Sequence, residues 1–408
     1  MSSNRLAEAL AQLDPASPRY ASDAVEQALA LARAAGASDL HFQPGGDGLE
    51  LRWRIDGVLH QVALLPAKVG PNVVARLKVL SELLTYRSDV PQEGRIKGAP
   101  GDVEMRVSTF PTLFGEKAVV RMFAGPGRFL RLVDLGLPET VRDELDHLLG
   151  ETSGAIVLAG PAGSGKTTTI YACLRELAAR TRGERSLATL EDPIEAVVPG
   201  VAQAQVNVSA GLSLEVGLKS LLRQDPEVIA IGEIRDKTTA EIALQAALTG
   251  HLILTTFHAG SACEVIGRFL DMGIEPHVVR SGLRVVVAQR LVRRLCQCAI
   301  PSSKPDDFLG VPVRHARLPA GCDLCRGTGY LGRTVLAELL LPETEELARA
   351  VLALADVRRL EQLAVAGGMI DRWERACVAV EQGLTSPAEI RRVLGVAAFP
   401  ERTRARLS

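Results

Sequence analysis

Two hydrophobic patterns follow one another along this chain and divide it into two kinds of segment. Between residues 38 and 123, apolar and polar residues alternate with the period of two that is typical of strands with one buried face. From residue 155 onward, short uninterrupted apolar runs alternate with helical segments, which is typical of a doubly wound parallel sheet. The pattern therefore predicts an α/β protein with at least two domains.

The first domain is predicted to span residues 21–123, after an N-terminal extension over residues 1–20. Charged residues alternate with apolar ones from Leu49 to Ile55, and the dipeptide Asp56-Gly57 after them predicts a two-residue hairpin turn. A helix is expected around residues 70–84. Several arginines occupy polar strand positions, where they form either a solvated sheet face or a functional cluster: Arg54, Arg95, Arg106 and Arg121.

The strongest chemical signal is a glycine-rich run that follows the apolar segment Ala155–Ala159 and matches the phosphate-binding pattern G-x-x-x-x-G-K-[ST]. Glycines let backbone N–H groups wrap around a phosphate, and the next helix directs its positive N-terminus at the same anion. Lys166 is expected to reach the outer phosphates of ATP, and Thr167 to hold Mg²⁺. The predicted nucleotide contacts are Gly160, Pro161, Ala162, Gly163, Ser164, Gly165, Lys166, Thr167 and Thr168.

Acids and histidines accompany the later apolar runs. Glu191 and Glu233 each follow such a run, and His251 and His258 flank a third. Ligands bind at the carboxyl ends of parallel strands, so these side chains are expected to converge on the glycine-rich loop. A carboxylate there orients the attacking water or holds Mg²⁺ through water. A helix cap for Glu233 and a structural role for each histidine remain open.

Composition and charge argue against a membrane-spanning, secreted or nucleic-acid-binding protein. The 408 residues carry 47 basic and 48 acidic side chains, so no overall field attracts nucleic acid or lipid. No apolar run approaches the roughly 18–20 residues that a membrane helix needs, and the first 14 residues lack the apolar core of a signal peptide. A cytoplasmic location without direct nucleic-acid binding is expected.

With these motifs, the chain resembles the secretion-superfamily ATPases, the hexameric motors of type II secretion and type IV pilus assembly. Four segments carry the resemblance: the phosphate-binding loop at 160–167, the aspartate box Thr189–Glu195, the Walker B segment Leu222–Asp236 and the histidine box Thr249–His258. Shorter matches upstream and downstream extend the resemblance over about residues 22–395.

The resemblance implies a domain plan and a set of roles. It implies a PAS-like N-terminal α/β domain, a linker at 124–140, a RecA-like ATPase core at 141–291, a cysteine-rich metal-binding insertion at 292–333 and a helical C-terminal subdomain at 334–408. Glu233 is then the catalytic carboxylate, assisted by Glu191, and His258 and His251 sense the γ-phosphate. When the N-terminal domain closes over the nucleotide, the arginines that approach it would be Arg95, Arg106 and Arg121.

Two cysteine pairs lie within the predicted insertion. Cys296 with Cys298 and Cys322 with Cys325, separated by a loop, predict a tetrahedral Zn²⁺ site of four thiolates. The resembled family normally has two C-x-x-C pairs, whereas the first pair here is C-x-C. In an extended strand those two thiols would point the same way, and His315 is a conceivable substitute ligand. Thiols in a structural loop, without metal, are the alternative.

The resemblance also implies partners. A homo-hexamer would act on an inner-membrane platform protein, with a membrane-anchored docking protein, and would sit peripherally at the inner membrane through these partners. Type II motors commonly carry a further N-terminal docking domain, whereas about 20 residues precede the predicted core here. Either that contact is reduced, or the sequence is trimmed, or this is a short-form system. The alternatives are a pilus-retraction motor, which usually lacks the cysteine insertion, a nucleotide-gated scaffold that hydrolyses poorly, and a DNA-uptake or DNA-processing ATPase. Near-neutral charge disfavours the last.

Overall fold

The chain folds into two compact units, each with its own sheet. The first contains residues 1–127 and 321–328, and the second contains residues 128–320 and 329–408. A computed structural model describes residues 2–96, 105–122, 130–395 and 399. Residues 124–129 of the predicted linker, and residues 396–398 and 400–408 of the predicted C-terminal subdomain, lie outside the described residues.

The first unit is built on an antiparallel sheet. Its strands are β1 (Asp39–Gly45), β2 (Gly48–Ile55), β3 (Val58–Leu65), β4 (Gln92–Ile96), β5 (Met105–Thr112) and β6 (Gly115–Met122), and its helices are α1 (Ser2–Ala11), α2 (Tyr20–Ala34) and α3 (Gly70–Leu80). The strand order is β3-β2-β1-β6-β5-β4. Asp56 and Gly57, at φ of 49° and 82°, form the predicted turn between β2 and β3, because such a turn requires positive φ at both positions.

The first helix belongs to the core of this unit. Leu6 and Leu10, one helical turn apart in α1, are buried in the same cluster as Phe42 and Trp53 of the sheet. The predicted N-terminal extension over residues 1–20 thus contains a helix whose apolar side packs onto the domain that follows.

The second unit contains a doubly wound sheet with one antiparallel edge strand. Its strands are β7 (Gly154–Ala159), β8 (Leu187–Glu191), β9 (Ala202–Gln205), β10 (Val228–Ile231), β11 (Leu252–Phe257), β12 (Leu283–Leu295) and β15 (Tyr330–Leu340), in the order β15-β12-β7-β11-β10-β8-β9. Neighbours pair in parallel except β12 with β15. Two short strands, β13 (Ile300–Ser302) and β14 (Ala316–Leu318), pair with each other.

Helices cover both faces of this sheet. They are α4 (Glu139–Leu148), α5 (Lys166–Thr181), α6 (Leu214–Leu221), α7 (Lys237–Leu248), α8 (Ala262–Asp271), α9 (Pro276–Gly282), α10 (Glu345–Leu352), α11 (Val357–Ala366), α12 (Arg372–Glu381) and α13 (Pro387–Leu394). In β7, Ala155, Val157 and Ala159 enter one core, and Ile156 and Leu158 enter the other. Burial on both faces explains why the strand is uninterruptedly apolar. Among the described residues, no helix has the length and apolar character needed to cross a membrane.

The C-terminal part differs from its predicted helical form at its start. Residues 334–340 belong to β15, which pairs along β12, so the helical part begins at α10. Glu338 of β15 is buried, and its carboxylate accepts hydrogen bonds from the backbone N–H of Ala262 (2.9 Å) and from the N–H and guanidinium of Arg372 (2.9 and 3.1 Å). One carboxylate thus accepts hydrogen bonds from the N-termini of both α8 and α12.

Candidate functional site

The glycine-rich loop connects the carboxyl end of β7 to the N-terminus of α5. Gly160, Gly163 and Gly165 have φ of 148°, 73° and 92°, which L side chains rarely adopt. A Cβ at position 160 would lie 2.4 Å from Ser164 Oγ and 2.5 Å from Gln289 O, so only glycine fits there. Local backbone geometry and close packing therefore both require the glycines that the phosphate-binding pattern contains.

Lys166 is a cation held inside this loop. Its Nζ donates hydrogen bonds to the carbonyl oxygens of Gly160 (2.8 Å) and Pro161 (3.0 Å), and the residue is buried. Burial lowers the pKa of Lys166, the nearby Glu233 carboxylate raises it, and Arg290 lowers it further. A buried ammonium whose hydrogen bonds go to neutral carbonyls fits an incoming anion, since phosphate oxygens would supply charged acceptors.

The hydroxyl groups beside Lys166 fit a magnesium–nucleotide complex. Thr167 is partly exposed in the first turn of α5, and Thr168 is exposed beside it. The Ser164 hydroxyl is buried and has no hydrogen-bond partner. Thr169 is buried, and its Oγ1 contacts Gly165 O (3.2 Å) and Gln289 Nε2 (3.0 Å). The loop therefore offers backbone, hydroxyl and ammonium groups of the kind that bind Mg²⁺ and phosphate.

Glu233 and His258 are in contact at the same edge of the sheet. Glu233 lies two residues beyond β10 and His258 directly follows β11, and these two strands are parallel neighbours. His258 Nε2 lies 2.8 Å from Glu233 Oε1, and Arg235 Nε lies 2.9 Å from Glu233 Oε2. The Glu233 side chain is only 18% exposed, whereas that of His258 is 51% exposed. Because Glu233 raises the pKa of Lys166, the carboxylate lies within electrostatic range of the loop.

Glu191 ends β8 at the same edge, but its carboxylate is already engaged. It accepts hydrogen bonds from the hydroxyl groups of Tyr171 and Thr189 and from Gln203 Nε2 (3.1 Å), and it is buried. Burial and the bond to Glu191 raise the pKa of Tyr171. Tyr171 belongs to α5, so Glu191 fixes the helix that begins at the phosphate-binding loop.

His251 lies at the other end of its strand. It precedes β11, its carbonyl accepts a hydrogen bond from the N–H of Gly154 at the start of β7, and its Nδ1 lies 3.1 Å from Ala246 O. The length of β11, at about 3.3 Å per residue, separates the two histidines by roughly 20 Å. The expectation that both histidines converge on the loop is therefore wrong for His251, because only the carboxyl end of a parallel strand faces this edge.

The predicted arginines form one row across the antiparallel sheet of the first unit. Each member of the row is the direct cross-strand partner of the next. In order across the sheet they are Arg95 (β4), Arg106 (β5), Arg121 (β6), Asp39 (β1) and Arg54 (β2). Directly paired residues share a face, so all five side chains lie on one side. Asp39 is buried and holds Arg121 (3.1 Å) and Arg54 (3.4 Å).

The four clustered cysteines lie close together. The sulfur atoms of Cys296, Cys298, Cys322 and Cys325 all lie within 4.8 Å of one another. The sulfurs of Cys322 and Cys325 are 3.7 Å apart, close to the edge of about 3.8 Å of a tetrahedron with Zn–S bonds of about 2.3 Å. The chemistry and spacing of these thiols fit a zinc ion.

Two details of this cluster correct the sequence interpretation. Strand β12 ends at Leu295, so the C-x-C pair follows the strand and lies in a turn. The N–H of Ala299 closes this turn by donating a hydrogen bond to Cys296 O (3.0 Å). The pair is therefore not part of an extended strand. His315 is exposed, and its Nε2 lies 3.1 Å from Glu381 O, so it is not a member of the cluster.

The sequence patterns assign no role to several residues that contact the predicted site residues. Gln289 and Arg290 contact the loops around Lys166, Tyr171 binds Glu191, Arg235 pairs with Glu233, and Asp39 holds Arg121. Gln289-Arg290 and Asp39 lie in segments that resemble the secretion ATPases, which was a usable signal. For Tyr171 no local pattern existed, because its partner is 20 residues away.

Comparison with known proteins identifies the family. The family described as type II/IV secretion system protein matches residues 18–392. The protein transport protein HofB homolog of Escherichia coli K12 is 41% identical over 367 residues, which are 88% of this chain and 78% of that protein. The type IV pilus assembly ATPase PilB of Thermus thermophilus is 36% identical over 90% of this chain, but the match covers only 42% of that longer protein.

A solved structure has the same fold. The ATPase DotB of Legionella pneumophila matches with a TM-score of 0.68 over 93% of this chain and 97% of that one, at 21% sequence identity. At that identity the match speaks for the fold alone. The extent of the family match, together with the identity to HofB homolog, shows that this chain belongs to the type II/IV secretion system protein family.

Proposed function

We propose that this chain is the ATP-hydrolysing motor of a type II secretion or type IV pilus machine, and that it works as a homo-hexamer to drive pseudopilus or pilus assembly. The family match and the similarity to a type IV pilus assembly ATPase support the activity and the process. The phosphate-binding loop, with its buried Lys166, supports nucleotide as the substrate.

The contact between Glu233 and His258 is the observation that carries this proposal. It joins an acid and an imidazole from two strand ends beside the loop that holds Lys166. In the proposed reaction, Glu233 orients the attacking water, Lys166 neutralises charge on the outer phosphates, and His258 contacts the terminal phosphate. When bound at Thr167, Mg²⁺ would supply further charge neutralisation. His251 has no part in this reaction within one chain.

The row of arginines suggests how hydrolysis couples to movement. We assign Arg95, Arg106 and Arg121 the task of approaching the nucleotide when the first unit closes over it. A guanidinium on the transferring phosphate stabilises transition-state charge and raises the rate by about 10³–10⁵ when fully engaged. Closure and release would then follow the hydrolysis cycle and move an inner-membrane platform protein.

Zinc and membrane partners complete the proposal. The four cysteines would hold a structural Zn²⁺ ion, which favours an assembly or secretion motor over a retraction motor. The chain would work in the cytoplasm, at the inner-membrane surface, through a platform protein and a membrane-anchored docking protein. Co-purification of these membrane proteins with the tagged chain from its native cell is the direct measurement.

Replacement of Glu233 by Gln tests the catalytic assignment. Glu233→Gln keeps the shape of the side chain but removes the charge that orients water, so turnover should fall by a factor of about 10² or more while ATP binding persists. Steady-state phosphate release and titration with a fluorescent ATP analogue measure the two quantities. Glu241→Gln, an exposed acid on α7, is the matched control. Unchanged turnover in Glu233→Gln contradicts the assignment, and a wild-type chain without turnover favours the scaffold alternative.

A further inference from the structure

Two consecutive residues of β12 contact the two loops that form the nucleotide site. β12 runs parallel to β7 and pairs with it up to Ala288 and Ala159, so residues 289 and 290 emerge beside the phosphate-binding loop. Successive residues of a strand point to opposite faces of the sheet. Gln289 and Arg290 can therefore contact different loops.

Gln289 contacts the phosphate-binding loop and its helix. The residue is fully buried, and its Nε2 donates a hydrogen bond to Thr169 Oγ1 (3.0 Å) in the first turn of α5. Its backbone carbonyl oxygen is the atom that would lie 2.5 Å from a Cβ at Gly160. Gln289 thus abuts the beginning of the loop with its backbone and the end of the loop with its side chain.

Arg290 contacts the loop that carries His258. Its Nη2 donates a hydrogen bond to the carbonyl oxygen of Gly260 (2.8 Å), and its Nη1 donates one to Gln289 O (3.2 Å). The N–H of Gly260 donates to the Glu264 carboxylate of α8. Both sides of Gly260 are therefore held, two residues after the histidine that touches Glu233.

The surroundings of Arg290 hold its guanidinium in place. Arg290 is partly buried among Arg372, Glu338 and Glu264, and burial lowers its pKa from the ordinary arginine value. A planar guanidinium with several fixed donors holds a loop more rigidly than a flexible ammonium group does. The loop that follows His258 thus has a rigid support.

We infer that Arg290 is a positioning residue for His258, and that Gln289 does the same for the phosphate-binding loop. This inference rests on the proposed ATPase function. Arg290 fixes the segment from His258 to Gly260 so that the imidazole stays in contact with Glu233 when nucleotide arrives. Without it, the loop carrying His258 has one fewer anchor, and a displacement of about 1 Å can cost a factor of about 10² in rate.

A double-mutant cycle with His258 tests the inference. Arg290→Ala should lower kcat for ATP hydrolysis by about 10²-fold and leave the affinity for a non-hydrolysable ATP analogue unchanged. His258→Ala should lower kcat as well, and Arg290→Ala should then add no further loss, because it acts through that histidine. Gln289→Met should instead weaken binding of the ATP analogue, because Gln289 contacts the phosphate-binding loop. Arg294→Ala, an exposed arginine of the same strand, is the control.

Arg290→Lys distinguishes positioning from a general role in folding. A lysine ammonium keeps the charge and retains one donor for Gly260 O, so this variant should recover part of the lost kcat. If Arg290→Ala does not fold, Arg290→Lys replaces it in the double-mutant cycle. Wild-type kcat in Arg290→Ala, or additive losses in the cycle, overturns the inference while an active wild type leaves the proposed function intact. A wild-type chain without turnover contradicts both.

Discussion

A buried carboxylate at the junction of α13 and β12 offers a quantitative test of what holds the second unit together. The Glu389 side chain is fully buried. Its two oxygens accept five hydrogen bonds, from the N–H and guanidinium of Arg293 (3.0, 2.9 and 2.7 Å) and from the guanidinium of Arg392 (2.8 and 2.6 Å). Glu389→Gln removes the charge and nearly preserves the volume.

The expected loss of stability in Glu389→Gln follows from how exposed its two arginine partners are. Loss of one member of a buried ion pair costs about 3–5 kcal/mol, because the remaining charge stays buried. The Arg293 side chain is 16% exposed and that of Arg392 is 41% exposed, so solvent screens the second pair more strongly. We expect the free energy of unfolding to fall by about 3 kcal/mol. At 2–4 °C for each kcal/mol, Tm should fall by about 6–12 °C.

The pH dependence gives the prediction a second, independent observable. Burial raises the pKa of Glu389, but hydrogen bonds from Arg392 and Arg293 lower it more, so the net shift is downward. A carboxyl with a lowered pKa in the folded state stabilises the fold above its unfolded pKa of about 4.3, and this stabilisation is lost as pH falls through the folded pKa. The difference in Tm between wild type and Glu389→Gln should therefore be constant near neutral pH and shrink in acid.

Thermal unfolding followed by circular dichroism from about pH 8 down to about pH 2, which extends below the unfolded pKa, measures both effects. Glu345→Gln, whose exposed side chain pairs with Arg349 within α10, is the matched control and should change stability by less than about 0.5 kcal/mol. Equal Tm values for wild type and Glu389→Gln at neutral pH would refute the argument. So would a difference that stays the same from neutral pH into acid.

Three further predictions concern the nucleotide, the metal and the arginines. Lys166→Ala should abolish binding of an ATP analogue at concentrations that saturate the wild type, because it removes the buried ammonium from the loop; retained affinity in a titration would contradict this role. Cys325→Ser should lower bound zinc from one ion per chain to a substoichiometric amount in elemental analysis, and wild-type protein without zinc would refute the site. Arg106→Ala should lower turnover by about 10³-fold if this arginine engages the phosphate, whereas Arg52→Ala, which pairs with Glu50, should not; equal turnover of the two variants would exclude Arg106 from the reaction.

Local patterns were sufficient to predict the elements that surround the nucleotide. The run at β7 is apolar on both faces, and the glycines after it are required by positive φ and close packing, so pattern and structure have the same physical cause. The Asp56-Gly57 turn is equally local. The comparisons support the family resemblance that rested on these segments.

Contacts between distant segments could not be predicted from spacing. Asp39 and Arg121 are 82 residues apart, and Arg293 and Glu389 are 96 residues apart, so only the folded sheet shows these pairs. The sequence pattern predicts helix over part of the edge strand β15, since a strand with apolar residues on both faces lacks a clear alternation. The expectation for His251 fails because it treats both histidines of the motif alike, although His251 precedes its strand and only His258 follows it.

The carboxylate of Glu338 has a consequence for anyone who wishes to isolate the catalytic part of this protein. A fragment that stopped before Arg372 would retain each predicted nucleotide contact, together with Glu233 and His258. It would nevertheless leave an anion inside the protein without the guanidinium and the helix start that neutralise it. Helix α12 is therefore part of the folding unit of the ATPase, and a minimal ATPase must include it.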